Sequence, residues 1–254
     1  MLQSTPNRWL VGPRKETLED VAPMRLFALP YAGGSASAFR QWHKNLPASV
    51  DLYAIQLPGR EARFAEPKLT YFFTAIEAIV NALRPMLDRP FALFGHSLGG
   101  ILAFETARCL RRVNAPMPSQ LFISGCSAPQ VRGEILPYSK LSDAKFIEAV
   151  NKYGGLPDEV LQNSELIELF LPTLRADFGL LETYHYYEEA PLDCPITVFG
   201  GDDDPEAPRA KLTAWNIHTT KAFRISMFPG GHFYLNAAQA SLTGEIIRDL
   251  DHTL

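Results

Sequence analysis

One short segment constrains this chain more than any other: a serine flanked by glycines, between an apolar run and a helix-forming run. Residues 91–94 are apolar and predict a buried strand, whereas residues 99–113 favour a helix. Gly95, Ser97 and Gly99 follow the pattern Gly-x-Ser-x-Gly. A sharp strand-to-helix turn needs such glycines, because a Cβ there would collide with the adjacent strand or helix. The pattern predicts a serine nucleophile at the apex of the turn; the alternative is a glycine-rich turn with a capping serine.

Composition and charge narrow the class of protein. The chain has 254 residues, of which 46% are hydrophobic and 20% charged, as is ordinary for a globular fold with a sizeable core. Its net charge of −4, without a Lys/Arg run, argues against nucleic acid or an anionic membrane as the main partner. No segment approaches the roughly 18 apolar residues of a membrane span, and no signal-peptide-like stretch occurs near the N-terminus. We therefore expect a soluble, cytoplasmic protein, and a monomer.

The cysteines give no indication of a metal site. Cys109, Cys126 and Cys194 lack the spacing of metal ligands, and two of them lie in strongly apolar surroundings. We expect reduced core cysteines and no bound metal.

Strand-like and helix-like segments alternate along most of the chain. Apolar runs predict strands at residues 25–29, 50–56, 91–94, 120–125, 195–200 and 223–228. Helical patterns lie at residues 38–45, 69–87, 99–113, 212–216 and 235–250. This alternation predicts an α/β fold with a mostly parallel central sheet covered by helices on both faces. Residues 1–22 are interpreted as an N-terminal extension, packed on the surface or partly mobile, and residues 23–254 as a single domain.

The alternation stops between residues 128 and 190, where only helical patterns occur. They cover residues 141–153, 157–162 and 164–187, the last interrupted by Pro172. An insertion between two late strands lies above the carboxyl ends of the strands, where sites in open α/β sheets form. We therefore expect a helical lid at about residues 129–190; the alternative is a helical subdomain that only fills the core.

A serine hydroxyl needs a base to accept its proton, and the base needs a third group to hold its tautomer. His232 is the candidate base, since it follows the last predicted strand and a loop there can reach Ser97 over the sheet edge. The alternative is a loop histidine without a role. His96, next to the serine, is expected to point sideways, away from the Ser97 hydroxyl.

The candidate acid lies in a run of three carboxylates, Asp202 to Asp204, after the strand at residues 195–200. Adjacent like charges are costly unless one of them is paired, although an Asp-rich surface turn before proline is also common. The position three residues after Gly201 suits a turn that carries a carboxylate over the sheet. Asp204 is therefore the first choice and Asp203 the second.

Two backbone amides could stabilise an oxyanion. The Leu98 amide begins the helix after the serine, where the positive end of the helix dipole adds to its effect. The glycine-rich loop at residues 30–34 follows the first main strand and could supply the second donor. Ala32 is the first choice for that donor and Tyr31 the second.

Together these segments resemble a known family, the stand-alone type II thioesterases of nonribosomal peptide and polyketide synthases, which have the α/β-hydrolase fold. The resemblance runs from about residue 25 to the C-terminus. Its motifs here are Pro30-Tyr-Ala-Gly-Gly34, Gln56-Leu-Pro-Gly-Arg60 with Arg63, Phe94-Gly-His-Ser-Leu-Gly-Gly100, Leu171-Pro-Thr-Leu-Arg-Ala-Asp177, Gly201-Asp-Asp-Asp-Pro205 and Phe228-Pro-Gly-Gly-His-Phe233. The Leu-Pro-Gly-Arg and Leu-Pro-Thr-Leu-Arg segments are more selective than the serine motif.

The resemblance implies hydrolysis of wrong or stalled acyl groups from the phosphopantetheine arm of acyl or peptidyl carrier proteins. It implies a Ser97–His232–Asp204 mechanism with neither a metal nor an organic cofactor, and substrate contacts from Tyr31 and Phe233. Two alternatives remain, a general carboxylesterase or lipase of the same fold and a non-catalytic binding protein. Because carrier domains are usually acidic, we also expect a locally basic docking face. Its candidates, which could equally be ordinary solvated charges, are Arg60, Arg63, Arg111 and Arg112.

Overall fold

A seven-stranded sheet forms the centre of the computed structural model, which describes residues 7–13, 22–133, 137–152, 154 and 162–251. The strands follow the order β1-β3-β2-β4-β5-β6-β7, and every pair is parallel except β1 with β3. This confirms the predicted mostly parallel α/β sheet. The strands are β1 Leu10–Val11, β2 Met24–Leu29, β3 Val50–Ile55, β4 Phe91–His96, β5 Gln120–Ser124, β6 Ile196–Gly201 and β7 Phe223–Phe228.

Seven α-helices are found in the described part of the chain. They are α1 Phe72–Leu83, α2 Leu98–Arg112, α3 Asp143–Asn151, α4 Ser164–Glu182, α5 Arg209–Thr213, α6 Tyr234–Ala237 and α7 Gln239–Asp251. The helix predicted at residues 38–45 is instead two short 3-10 helices, Ala36–Phe39 and Trp42–Lys44. None of the described helices is both long and apolar enough to cross a bilayer.

Successive side chains of the strands alternate between two apolar layers. In β2, Phe27 and Leu29 join the layer formed with α1 and α2. Leu26 and Ala28 point to the opposite layer, which contains Trp42 and the buried face of α7. Because both faces of the sheet are covered, its inner strands are continuous apolar runs. The sheet is a rigid base from which the loops at its carboxyl edge project.

Part of the N-terminal extension is an edge strand, which the sequence did not indicate. Leu10 pairs with Ile55 and Val11 with Ala54, antiparallel to β3. The Trp9 carbonyl adds a hydrogen bond of 2.8 Å from the Gln56 amide. A strand of two residues is too short to leave a periodic pattern in the sequence. Residues 1–6 and 14–21 of the extension lie outside the described residues.

The helical insertion lies between β5 and β6, as predicted, but α4 differs from the expectation. It runs from Ser164 to Glu182 without a break at Pro172 and ends before residue 187. An interior proline removes one hydrogen bond of the helix. Here the helix continues through it because Leu171, Leu174 and Phe178 bury one face. Residues 157–161 of the remaining predicted helix lie outside the described residues.

His218 lies in the apolar layer next to α2. Its ring packs on Phe104 and Trp215, with ring centroids 4.9 and 5.3 Å away, and Nε2 lies 2.7 Å from Gln130 Oε1. Burial, aided by the nearby positive charge of Arg108, lowers the pKa of His218 from 6.5 to about 4. Between those pH values the unfolded chain binds a proton that the folded chain does not. The free energy of unfolding therefore decreases as the pH falls through this range.

We expect His218→Gln to flatten this dependence, because glutamine does not titrate. Urea unfolding between pH 7 and 4.5 measures the free energy of unfolding of wild type and variant. Over that range the free energy of unfolding should decrease less in the variant than in the wild type. His43→Gln makes the same chemical change on an exposed side chain and is the control for the substitution itself. Parallel curves for wild type and His218→Gln would contradict the expectation.

Candidate active site

The turn after β4 carries Ser97 in a strained conformation. The residue has φ 55° and ψ −116°, and α2 begins at the next residue. A positive φ is costly for a residue with a side chain and persists only when its surroundings enforce it. Two hydrogen bonds do so: the Ser97 amide donates to the Ser124 carbonyl at 2.8 Å, and the Gly100 amide donates to the Ser97 carbonyl at 2.9 Å.

The two glycines of the motif are required by contact with backbone. A Cβ on Gly95 would lie 1.9 Å from the Gly99 carbonyl oxygen, and a Cβ on Gly99 would lie 2.1 Å from the Leu29 carbonyl oxygen. The first turn of α2 therefore lies directly against the ends of β2 and β4. The N-terminus of α2, which carries a partial positive charge, thus lies next to Ser97.

His232 reaches Ser97 from the loop after β7. Its Nε2 lies 3.0 Å from Ser97 Oγ, and its Nδ1 lies 2.8 Å from Asp204 Oδ2. Since a carboxylate can only accept, Nδ1 carries the proton and donates a hydrogen bond to Asp204. This leaves Nε2 free to accept from the Ser97 hydroxyl. The arrangement is the one that a base needs to take a proton from serine.

Asp204, rather than Asp203, faces His232. Asp204 is 3% exposed, and its second oxygen, Oδ1, accepts from the amides of Glu206 at 2.9 Å and Ala207 at 3.3 Å. These bonds fix the carboxylate in place. Asp203 is exposed, and its amide donates to the Gly230 carbonyl at 3.0 Å, which turns the chain so that the next residue points inward.

The loop after β2 lies beside the serine turn. Strand register pairs Leu29 with Gly95, so the residues that follow each strand project from the same edge of the sheet. Ala32 is half-buried in this loop, in a turn that a 2.9 Å hydrogen bond closes across residues 31–34. Leu98 is buried at the start of α2. The backbone amides of Ala32 and Leu98 thus belong to the two segments that flank Ser97.

Tyr31 and Phe233 form an aromatic contact next to this group. Their ring centroids are 4.9 Å apart, and the Phe233 ring lies 5.2 Å from that of His232. Both side chains are half-buried, and burial raises the pKa of Tyr31 above its ordinary value. The two rings present apolar surface next to the base.

His96 points away from Ser97, as expected, into a polar chain that the sequence did not reveal. Its Nδ1 lies 2.8 Å from Ser124 Oγ, which in turn lies 2.6 Å from the Tyr234 hydroxyl. The His96 ring lies 5.1 Å from the His232 ring. Burial, together with the nearby His232, holds the pKa of His96 well below its ordinary range. His96 is therefore a neutral support behind the base.

The predicted basic docking face is wrong for Arg60 and Arg63. Their side chains are only 7% exposed, and Arg60 pairs with Asp177 at 2.7 Å. Arg63 donates to the Gln56 carbonyl at 2.7 Å and pairs with Glu66 at 2.6 Å. The several donors of a guanidinium allow it to satisfy backbone carbonyls and a carboxylate together inside a loop. Sequence alone does not separate such an arginine from a solvated one.

Arg111 and Arg112 remain partly exposed but are not free surface charges. Both pair with Glu189 at the end of the insertion, at 2.8 and 2.7 Å. Arg111 also donates to the Ala190 carbonyl at 2.7 Å. These arginines attach the end of the insertion to α2.

The three cysteines are free thiols, and two of them are buried. Burial raises the pKa of Cys126 to about 11 and that of Cys194 to about 12, so both stay protonated at neutral pH. Within the described residues, no group of three or more His, Cys, Asp and Glu side chains is arranged to hold a metal ion.

Comparison with known proteins places the chain in a family. A family model described as a thioesterase domain matches residues 24–254. The chain belongs to the thioesterase family.

Similar proteins place it more narrowly, among thioesterases of nonribosomal peptide and polyketide clusters. The gramicidin S biosynthesis protein GrsT of Aneurinibacillus migulanus is 40% identical over 232 residues, or 91% of this chain and 90% of GrsT. RedJ, the thioesterase of the prodiginine pathway in Streptomyces coelicolor, superposes with a TM-score of 0.85 at 36% identity, covering 97% of this chain and 100% of RedJ. The type II thioesterase BorB of the borrelidin cluster gives 0.85 at 33% identity, covering 95% and 97%. These findings confirm the type II resemblance and the α/β-hydrolase fold.

We expect Asp204→Asn to lower kcat for thioester hydrolysis about 10³–10⁴-fold, because an amide in its place no longer fixes the His232 tautomer. Asp203→Asn makes the same chemical change one residue away, on a side chain exposed to water, and should retain wild-type kcat within about twofold. Steady-state kinetics of the two variants provides the measurement. Equal losses in both, or a loss confined to the Asp203 variant, would contradict the assignment of the acid.

Proposed function

We propose that this thioesterase hydrolyses acyl groups from the phosphopantetheine arm of carrier proteins, through an acyl-enzyme on Ser97. The observation that carries the proposal is the hydrogen-bonded line from Asp204 through His232 to Ser97 Oγ, with distances of 2.8 and 3.0 Å. This line ends on a serine at the N-terminus of a helix, in a chain of the thioesterase family. A positioned nucleophile, an oriented base and nearby amide donors are the groups that acyl transfer requires.

In the first half of the reaction, Ser97 Oγ attacks the thioester carbonyl while His232 Nε2 takes the hydroxyl proton. The carbonyl oxygen becomes an oxyanion, which accepts hydrogen bonds from the amides of Leu98 and Ala32. The carbon–sulfur bond then breaks. His232 gives its proton to the departing sulfur, so the phosphopantetheine leaves as a thiol and the acyl group remains on Ser97.

In the second half, water replaces the thiol. His232 Nε2 removes a proton from water as its oxygen attacks the acyl carbon, and the same two amides hold the second oxyanion. The ester bond to Ser97 breaks, His232 returns the proton to Oγ, and the carboxylic acid leaves. Asp204 keeps its charge throughout and stabilises the imidazolium that forms on His232 in each half.

The surroundings of Ser97 suit an acyl chain on a long, flexible arm. Tyr31 and Phe233 offer apolar surface beside His232, and we propose that they contact the acyl group or the pantetheine. We propose that the insertion between β5 and β6 acts as a lid over the same edge of the sheet, because Asp177 of α4 binds the Gly33 amide in the loop after β2. Similarity to thioesterases of peptide and polyketide clusters supports a role in removing wrong or stalled acyl groups from such assembly lines.

The partner is a carrier protein, because the phosphopantetheine arm comes attached to one. Burial of Arg60 and Arg63 removes two of the predicted docking charges. Arg111 and Arg112 are engaged by Glu189, so no basic face is assigned to this interaction.

We expect hydrolysis of an acetyl-phosphopantetheinyl carrier protein to be clearly preferred, by kcat/KM, over acetyl-CoA and p-nitrophenyl acetate. The reason is that the carrier protein adds binding energy that acetyl-CoA and a small ester both lack. Equal or better cleavage of the simple ester would favour a general carboxylesterase. Inactivity on all three substrates would favour a non-catalytic binding protein.

The control is Ser97→Ala, which removes the nucleophile and little else, because Ser97 is only half-buried. We expect it to abolish turnover of every substrate while the midpoint of thermal unfolding stays close to that of the wild type. Turnover at the wild-type rate in this variant would rule out the acyl-enzyme mechanism.

A further inference from the structure

Two glycines make the backbone of the loop that supplies Ala32 flexible. We call residues 30–34 the oxyanion loop; two of its five residues are glycines, and Gly33 adopts φ +78°. Glycines leave a backbone free to move unless hydrogen bonds hold it. An oxyanion donor, by contrast, must stay within a few tenths of an ångström of its place. Something outside the loop must therefore hold it.

A buried ion pair binds this loop directly. Asp177, in α4, accepts a hydrogen bond of 2.7 Å from the Gly33 amide on Oδ2. Arg60 donates to both oxygens of the same carboxylate, at 2.8 and 2.7 Å, and also to the Gly34 carbonyl at 2.8 Å. The ion pair thus holds the Gly33 amide and the Gly34 carbonyl, which directly follow Ala32 in the chain.

The pair is itself anchored on both sides. On the sheet side, Gln56 follows β3; its Nε2 donates to the Arg60 carbonyl at 3.0 Å, and its Oε1 accepts from the Ala36 amide at 2.7 Å. On the insertion side, Thr173 of α4 donates to the Gly59 carbonyl at 3.0 Å. The oxyanion loop is therefore held between the end of β3 and α4.

Stability alone is a weak reason for such a pair. Asp177 is 1% exposed and Arg60 7%, so both charges are removed from water, at a cost that well-packed apolar side chains would not incur. What apolar side chains could not supply is directional bonding to one amide and one carbonyl of the loop. The geometry therefore favours a role in positioning the backbone of the oxyanion loop.

We infer that Arg60 and Asp177 are positioning residues that hold the Ala32 amide in place for the oxyanion, so that hydrolysis depends on α4 lying against the loop. This inference rests on the proposed function, since it takes Ala32 as a donor to the oxyanion. It gives the insertion a part in the chemistry, because α4 carries one half of the pair.

The test compares binding of the ground state with binding of the oxyanion. We expect Asp177→Asn to lower kcat for an acyl-pantetheine thioester about 10- to 100-fold. The Kd of the matching non-hydrolysable amide should stay within about twofold, because that ligand develops no negative charge. The inhibition constant of a trifluoromethyl ketone analogue, which adds Ser97 to form an alkoxide, should rise by the same factor as kcat/KM falls.

Asp249→Asn is the matched control. Asp249 also pairs with an arginine, Arg224 at 2.8 Å, and accepts from the Thr197 hydroxyl at 2.6 Å, but it lies in α7, which packs on the opposite face of the sheet from α4. Its replacement should change kcat and both binding constants less than about threefold. Thermal unfolding of each variant sets an assay temperature at which all of them are folded.

A second variant separates positioning from folding. Arg60→Met with Asp177→Leu removes both charges together, and such apolar replacements of a buried pair usually preserve stability. We expect this double variant to fold and yet to keep the low kcat and the weakened binding of the ketone, since the Gly33 amide has lost its acceptor. If Asp177→Asn does not fold, the double variant alone decides.

The outcomes separate this inference from the proposed function. An inactive wild type would overturn the proposed function itself. With an active wild type, wild-type kcat in the double variant would overturn the positioning role. The positioning role would also be overturned if Asp177→Asn lost no more activity than Asp249→Asn. An equal weakening of amide and ketone binding in Asp177→Asn would overturn it too.

Discussion

The close approach of three backbone segments around Ser97 is the constraint on which the site depends. Gly95 and Gly99 leave no room for a Cβ, so the start of α2 lies against the end of β4 and against the Leu29 carbonyl of β2. Within this contact, the hydrogen bonds of the Ser97 amide and carbonyl hold the residue at its positive φ. A larger residue at Gly95 or Gly99 would push these segments apart and would separate the serine, the N-terminus of α2 and the loop after β2 from one another.

Around this contact, each functional side chain is held by hydrogen bonds to buried polar groups. The backbone amides of Glu206 and Ala207 hold Asp204, and Asp204 holds His232. Ser124 binds the His96 ring, which packs behind His232. Inside the protein such bonds are strong and directional, so they hold side chains that flexible loops would otherwise leave free. The supports of the site therefore come from several separate segments of the chain.

The helical insertion is joined to the rest of the fold by charges at more than one point. Near the loop after β3, Asp177 of α4 binds Arg60. At its far end, Glu189 pairs with arginines of α2, and the Tyr184 hydroxyl donates to Glu105 at 2.9 Å. These contacts hold the described part of the insertion to the helices and loops that surround Ser97.

Local sequence determined much of this protein. The inner strands were predictable because burial on both faces makes them continuous apolar runs, and the serine turn because its glycines satisfy a local steric requirement. Chain order pointed to His232, and spacing after Gly201 favoured Asp204 over Asp203; the structure brings both within hydrogen-bond distance of their partners. These predictions depend on short-range patterns that the sequence itself contains.

Tertiary structure decided the rest, because those features depend on partners far away in the chain. Arg60 is buried only because Asp177, 117 residues later, meets it, and nothing near Arg60 indicates that. The helix through Pro172 continues because its apolar face packs on the fold, which outweighs the hydrogen bond lost at the proline. Ser124 supports His96 only once β4 and β5 pair. Local patterns set which residues form the site, whereas packing between distant segments set what holds them in place.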